Sequence, residues 1–204
     1  MKSLLLSCIC LACPMGCSPA TPAQRPGVES SIADTSAAGV RVPPPEPNST
    51  AIACHEDEPG PRLLISGEVR DENDRPIAGA VVTTYNADAA GLYNPRTSKT
   101  RAPRIRAVVQ ADANGRFQVL TVRPGPYPDA DEPAHVHFEA SAPGYHIGYS
   151  AIWFAGDPLI TPAKVVAARK YERSHPRDFT ATLAVEKRGD GLQFVRHRIK
   201  LEEN

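Results

Sequence analysis

Past residue 54 the chain has no cysteine. Four of its five cysteines, Cys8, Cys10, Cys13 and Cys17, crowd into the first seventeen residues, and only Cys54 follows. No intrachain disulfide framework is therefore available to whatever folds downstream. Net charge is missing as well. Lys plus Arg and Asp plus Glu each number 23, so the chain lacks the basic excess of a general nucleic-acid binder. Aromatics are scarce at 6%, there is no internal repeat, and no apolar run is long enough to span a bilayer as a permanent helix. Proline is abundant, with 21 residues in a chain of 204, and much of it lies near the start.

The first residues read as an export signal, 1–17. Lys2 is the basic segment, and Leu4, Leu5, Leu6, Ile9 and Leu11 form a short apolar core. Small residues then precede cysteines, Ala12 before Cys13 and Gly16 before Cys17. This pattern resembles a bacterial lipobox, with Cys17 (or Cys13) as the lipidated residue. It predicts an exported, membrane-anchored lipoprotein of the cell envelope. An ordinary signal peptide with incidental cysteines is the alternative. Residues 18–61 are rich in Pro, Ala, Ser and Thr and are expected to form a flexible tether. His55, Glu56, Asp57 and Glu58 at its end read as a solvated charge run.

From residue 62 to 204 short apolar and β-branched runs alternate with turn signals. Strands are expected over 63–70, 80–85, 107–111, 116–122, 134–140, 147–154, 179–187 and 192–201. Asn114-Gly115 reads as the turn of a hairpin, and Gly189-Asp-Gly191 as that of a final one. Residues 165–173 are expected to form a short helix. Regular short strands of this kind predict an all-β fold, a prealbumin-like antiparallel β-sandwich with long loops and at most a short helix.

The sharpest local signal is Pro133-Ala-His-Val-His-Phe138. Strand side chains alternate between faces, so His135 and His137 share one face while Ala134, Val136 and Phe138 share the other. Two imidazoles about 7 Å apart along a strand can converge on one ion. In isolation the pair is weak evidence, since ordinary polar-face residues give this pattern more often than metal ligands do.

Its neighbours add to it. Upstream lies Arg123-Pro-Gly-Pro-Tyr-Pro128, and downstream lie Ala142-Pro-Gly-Tyr145 and Gly156-Asp-Pro158. Together with Asp112-x-x-Gly115 and the segment from Tyr85 to Tyr93, this order resembles the intradiol ring-cleavage dioxygenases, the family of catechol 1,2- and protocatechuate 3,4-dioxygenases. The resemblance implies Fe(3+) held by Tyr93, Tyr127, His135 and His137, with Tyr85 the rival of Tyr93. It implies that a catechol-type ring is cleaved by O2 between its two hydroxylated carbons, without an organic cofactor, and that Tyr127 also accepts a substrate proton. The ligand set is chemically coherent. A free phenol ionises near pH 10, and a bound hard cation strips that proton, so two phenolates offset much of a ferric charge.

Two positions depart from the family pattern. Glu132 stands where the family places an arginine, and Ala151 where its catechol enzymes carry a glutamine. Arg104 or Arg106 is a candidate substitute cation. Glu132 also disfavours a carboxylated catechol as ligand. Two other functions stay open: an iron-binding but catalytically inert descendant, and a non-enzymatic surface module. The second arises because Leu64 to Val82 resembles the opening of carboxypeptidase-regulatory-like domains, which carry no iron.

Overall fold

The computed structural model describes residues 49–95, 97–100 and 102–204. The leader, with Cys13 and Cys17, and the first part of the expected tether lie outside the described residues.

Among the described residues ten strands form two facing sheets, accompanied by one helix. In chain order they are β1 (Thr50–Ile52), β2 (Arg62–Asp71), β3 (Val81–Asn86), β4 (Ile105–Gln110), β5 (Arg116–Val122), β6 (His135–Ser141), β7 (Gly148–Phe154), α1 (Pro162–Ser174), β8 (Asp178–Leu183), β9 (Glu186–Lys187) and β10 (Gln193–Leu201). One sheet has the order β1-β5-β2-β10-β9, the other β4-β3-β6-β7-β8. The fold is the expected all-β sandwich. Most pairings are antiparallel, but β1 with β5, β2 with β10 and β7 with β8 run parallel.

Period-two burial makes the core. In β4 the pattern buries Ile105, Ala107 and Val109 and exposes the residues between. Phe117 and Phe138 meet between the sheets with ring centroids 6.5 Å apart. Both are almost fully buried, and each burial stabilises by roughly 1.5–3 kcal/mol.

Two expected hairpins are corrected. The Asn114-Gly115 turn closes locally, with Asp112 N–H donating to the Arg116 carbonyl at 2.8 Å. The Asp112 carboxylate also takes the N–H groups of Asn114 and Arg116, at 2.8 and 2.7 Å. Yet β4 and β5 then enter different sheets, because Val69 N–H donates to the Gly115 carbonyl and β5 zips onto β2. The run 179–187 likewise divides. Its first part, β8, joins β7 in one sheet, and only β9 pairs with β10 across the Gly189-Asp-Gly191 turn.

The tether boundary moves too. Residues 49–61 belong to the folded unit: β1 adds to the edge of β5, Ala53 is buried, and Glu58 is buried and ion-paired to Arg104. Composition argued for a solvated linker, but three residues suffice to extend a sheet edge, and one buried ion pair holds the remainder. His55 and Asp57 do stay exposed. Cys54 is half-buried and accepts a hydrogen bond from Arg62 at 3.2 Å.

Helix α1 spans Pro162–Ser174, longer at both ends than expected. Thr161 caps it by accepting from Lys164 N–H, and a proline opens the first turn. It buries no residue and is held by polar contacts. Glu172 accepts from Thr180 N–H at 2.7 Å, and Tyr171 donates to Asp178 at 3.0 Å.

Candidate metal centre

Four aromatic side chains meet at one end of the sandwich. His135 and His137 stand on β6 and share a face, as strand alternation requires, with Val136 and Phe138 buried on the other. Their Nε2 atoms lie 2.9 Å apart. His135 Nδ1 lies 2.7 Å from the Pro133 carbonyl, so it carries the proton and donates. Nε2 of His135 is thereby an acceptor, and Tyr127 Oη lies 3.0 Å from it. Tyr93 Oη in turn bonds Tyr127 Oη. The chain of donors therefore runs from Tyr93 to Tyr127 to His135, with His137 Nε2 closing the group.

The two tyrosines come from loops, and the loops are tied together. Asn86, at the end of β3, donates to the Val122 carbonyl and accepts from Thr121 at the end of β5, so it joins the two sheets where both loops leave. Asp88 then folds the first loop by accepting from the N–H groups of Ala90 and Leu92, both at 2.9 Å. Gly91 has φ +80°, and a Cβ there would sit 1.9 Å from the Pro126 carbonyl oxygen. At Gly125 a Cβ would sit 2.4 Å from the Ala89 carbonyl oxygen. The loops thus meet backbone to backbone, which only residues without a side chain permit, and this contact sets Tyr93 beside Tyr127.

The histidine strand has its own anchor. The Asp157 carboxylate, from Gly156-Asp-Pro158, accepts from Ala134 N–H at 2.9 Å and from Leu159 N–H at 2.9 Å. Nothing local in Gly156-Asp-Pro158 assigns the aspartate this role. Its position three residues past the end of β7, with proline following, is the signal available.

Tyr85 is not one of the converging hydroxyls. It pairs with His137 across β3 and β6, and its ring stacks on the imidazole with centroids 4.7 Å apart. Register carries this row across the sheet as Arg106, Tyr85, His137, Ala151 and Thr180, all on one face. Ala151 therefore flanks His137 directly. Arg106 lies on the same face, exposed. Arg104 does not serve as a site cation, because its guanidinium is bonded to Glu58 and Asp88.

Burial shapes the ionisation of the group. It pushes the pKa of Tyr93 and Tyr127 upward, and the Glu132 carboxylate adds to the rise at Tyr127. Burial, with the neighbouring His135, depresses His137 to about 4. At neutral pH His137 is thus an uncharged imidazole, the form that ligates metal. No group of three or more His, Cys, Asp or Glu suited to a metal occurs among the described residues. The donor set here is of another kind, two phenols and two neutral imidazoles. It fits a hard trivalent cation, since two phenolate charges offset much of the metal charge and the clustered lone pairs would gain a common partner.

A family model described as a dioxygenase matches residues 42–195. The chain belongs to this family, the intradiol ring-cleavage dioxygenases. It is 34% identical over 125 residues to the protocatechuate 3,4-dioxygenase beta chain of Burkholderia cepacia, covering 54% of this chain and 52% of that one. It is 30% identical over 126 residues to the 6-chlorohydroxyquinol 1,2-dioxygenase of Cupriavidus pinatubonensis, covering 54% and 46%. The chain spans about half the length of the curated relatives it matches. Among solved structures, 3-chlorocatechol 1,2-dioxygenase from Rhodococcus opacus superposes with a TM-score of 0.59 at 20% identity, covering 81% of this chain and 72% of that one. The dioxygenase domain of a Streptomyces carbohydrate-binding fusion gives 0.57 at 22% identity, covering 81% and 96%. These two likenesses establish the fold.

Proposed function

We propose that this dioxygenase-family chain is a ferric, intradiol-type enzyme that opens a catechol ring between its two oxygen-bearing carbons. The observation that carries the reading is the convergence of Tyr93, Tyr127, His135 and His137 on one point. A non-enzymatic sandwich module has no need of four such groups within hydrogen-bonding reach.

A ferric ion held by these four residues would supply the Lewis acidity that readies a catecholate for O2. His135 is fixed for ligation by its Nδ1 bond to Pro133, a partner that sets both tautomer and ring orientation. Tyr127 is the proton acceptor. Its hydroxyl already exchanges hydrogen bonds with Tyr93 and His135, which places it where a catechol proton can be taken up and passed on. The reaction balances without a reductant: both atoms of O2 enter the product, one carbon–carbon bond breaks, and catechol plus O2 becomes a muconate-type diacid. Glu132 would repel a carboxylate on the ring, so catechols lacking an acidic substituent on that side form the favoured class.

Purified full-length protein loaded with ferric iron should be red-brown, through tyrosinate-to-iron charge transfer, with about one iron per chain. Catechol and air should then yield the ultraviolet absorption of a muconate-type product. Colourless, iron-free protein after loading overturns the reading. Colour without product on a broad catechol panel would favour the inert iron-binding descendant. We further propose export and lipid anchoring through Cys17 (or Cys13). Mass spectrometry of the mature N-terminus tests this, and an unlipidated end beyond Cys17 contradicts it.

A further inference from the structure

A cavity of about 380 Å³ opens beside the loops that present the candidate ligands. Pro126 and Ala134, which immediately precede Tyr127 and His135, are in its wall. Pro124, Pro158 and Leu159 make much of the rest apolar, and Arg123 and Asp157 are its charged groups.

Arg123 is half-buried with its donors largely unspent. Its guanidinium lies 4.2 Å over the Phe154 ring and donates one side-chain hydrogen bond, to Gln193 Oε1 at 3.3 Å. It forms no ion pair among the described residues. A guanidinium carries five N–H donors, and a desolvated one costs stability unless they find acceptors. Asp157 is the nearby opposite charge, but it forms no ion pair with Arg123 and instead accepts the N–H groups of Ala134 and Leu159. We propose that this cavity binds a small organic carboxylate with a flat apolar body, its carboxylate forked onto Arg123 and its body against the prolines and Leu159. Planar, bidentate recognition of carboxylates is what guanidinium geometry suits. The apolar walls select an organic acid over a bare inorganic oxyanion. A volume of this size accommodates an aromatic or conjugated acid.

The test uses metal-free full-length protein, so that a carboxylate cannot simply ligate iron. Benzoate is the probe, with benzyl alcohol as the neutral analogue and inorganic phosphate as the bare anion, followed by calorimetry and by NMR shifts of Arg123 Nε–H and the amides of residues 155–159. Saturable benzoate binding is expected, at least tenfold tighter than for either comparison compound. Arg123→Gln should weaken it at least tenfold. Arg123→Lys, which keeps the charge and loses the fork, should weaken it several-fold. His137→Ala, which alters the tyrosine–histidine cluster instead, should leave it unchanged. The proposal is overturned if benzoate does not saturate, if either Arg123 variant binds like the parent, if phosphate or benzyl alcohol binds as well, or if His137→Ala abolishes binding.

Discussion

The Asp157 carboxylate accepts the backbone N–H of Ala134 at 2.9 Å, one residue before the first histidine of β6. The two sequence motifs that looked independent, Gly-Asp-Pro and Pro-Ala-His-x-His, are thus one device: the first holds the start of the strand that the second occupies.

Asp157→Ala should therefore act on both stability and iron. It strips two backbone N–H groups of their acceptor, a loss of about 2–3 kcal/mol where the groups stay buried. Denaturant melts measure that cost, and iron per chain should fall with it. A variant with unchanged iron content and stability would show that β6 is held by other means.

Gly91→Ala should be worse than its small size suggests. The new methyl meets the Pro126 carbonyl at 1.9 Å, in a backbone with φ +80°. About 3 kcal/mol or more is expected from strain and clash together. The ferric charge-transfer band should shift or vanish, since Tyr93 and Tyr127 can no longer sit side by side. A parental spectrum and melting curve would refute this account of the loop contact.

Tyr85 and Tyr93 should separate cleanly. Tyr93→Phe removes a converging hydroxyl and should bleach or shift the colour. Tyr85→Phe keeps the ring that stacks on His137 and should leave the colour in place. The reverse outcome exchanges their roles.

The metal-free domain should lose stability as acid is added. His197 is buried between the sheets, 3% exposed, bonded to Ser150 at 2.9 Å and with Nδ1 unpartnered. Burial depresses its pKa to about 3. Below pH 6.5 the unfolded chain takes up a proton that the folded chain refuses, so stability is full above that value and falls as pH drops toward 3. His137, at about 4, acts in the same direction. Each proton contributes a slope of up to about 1.4 kcal/mol per pH unit. His197→Leu should flatten the curve, read by urea midpoints between pH 7 and pH 4; an unaltered slope would clear His197.

Much of this was legible in the sequence because alternation is a strong signal. The β5 span was read to the residue, most other strands were placed within a few residues, and the shared face of His135 and His137 follows from period two alone. What escaped depended on long-range partners. Nothing local says that β4 and β5 part into different sheets, since the Val69–Gly115 bond that decides it spans 46 positions. Asp157 and Arg123 likewise gain their meaning from groups remote in sequence, Ala134 for one and Phe154 for the other. Tyr93 was legible only as one of two tyrosines. The glycine contact that selects it is a matter of backbone proximity, which no residue type announces.

The ion pair of Glu58 with Arg104 has a practical consequence for anyone preparing the domain. Arg104 N–H also donates to the Tyr93 carbonyl at 3.2 Å, so the segment before β2 and the loop bearing Tyr93 share one fastening. Cutting the gene at the obvious strand, from Arg62 onward, would discard β1 and Glu58 together and loosen the very loop that presents a candidate ligand. A faithful expression boundary lies upstream of Ser49.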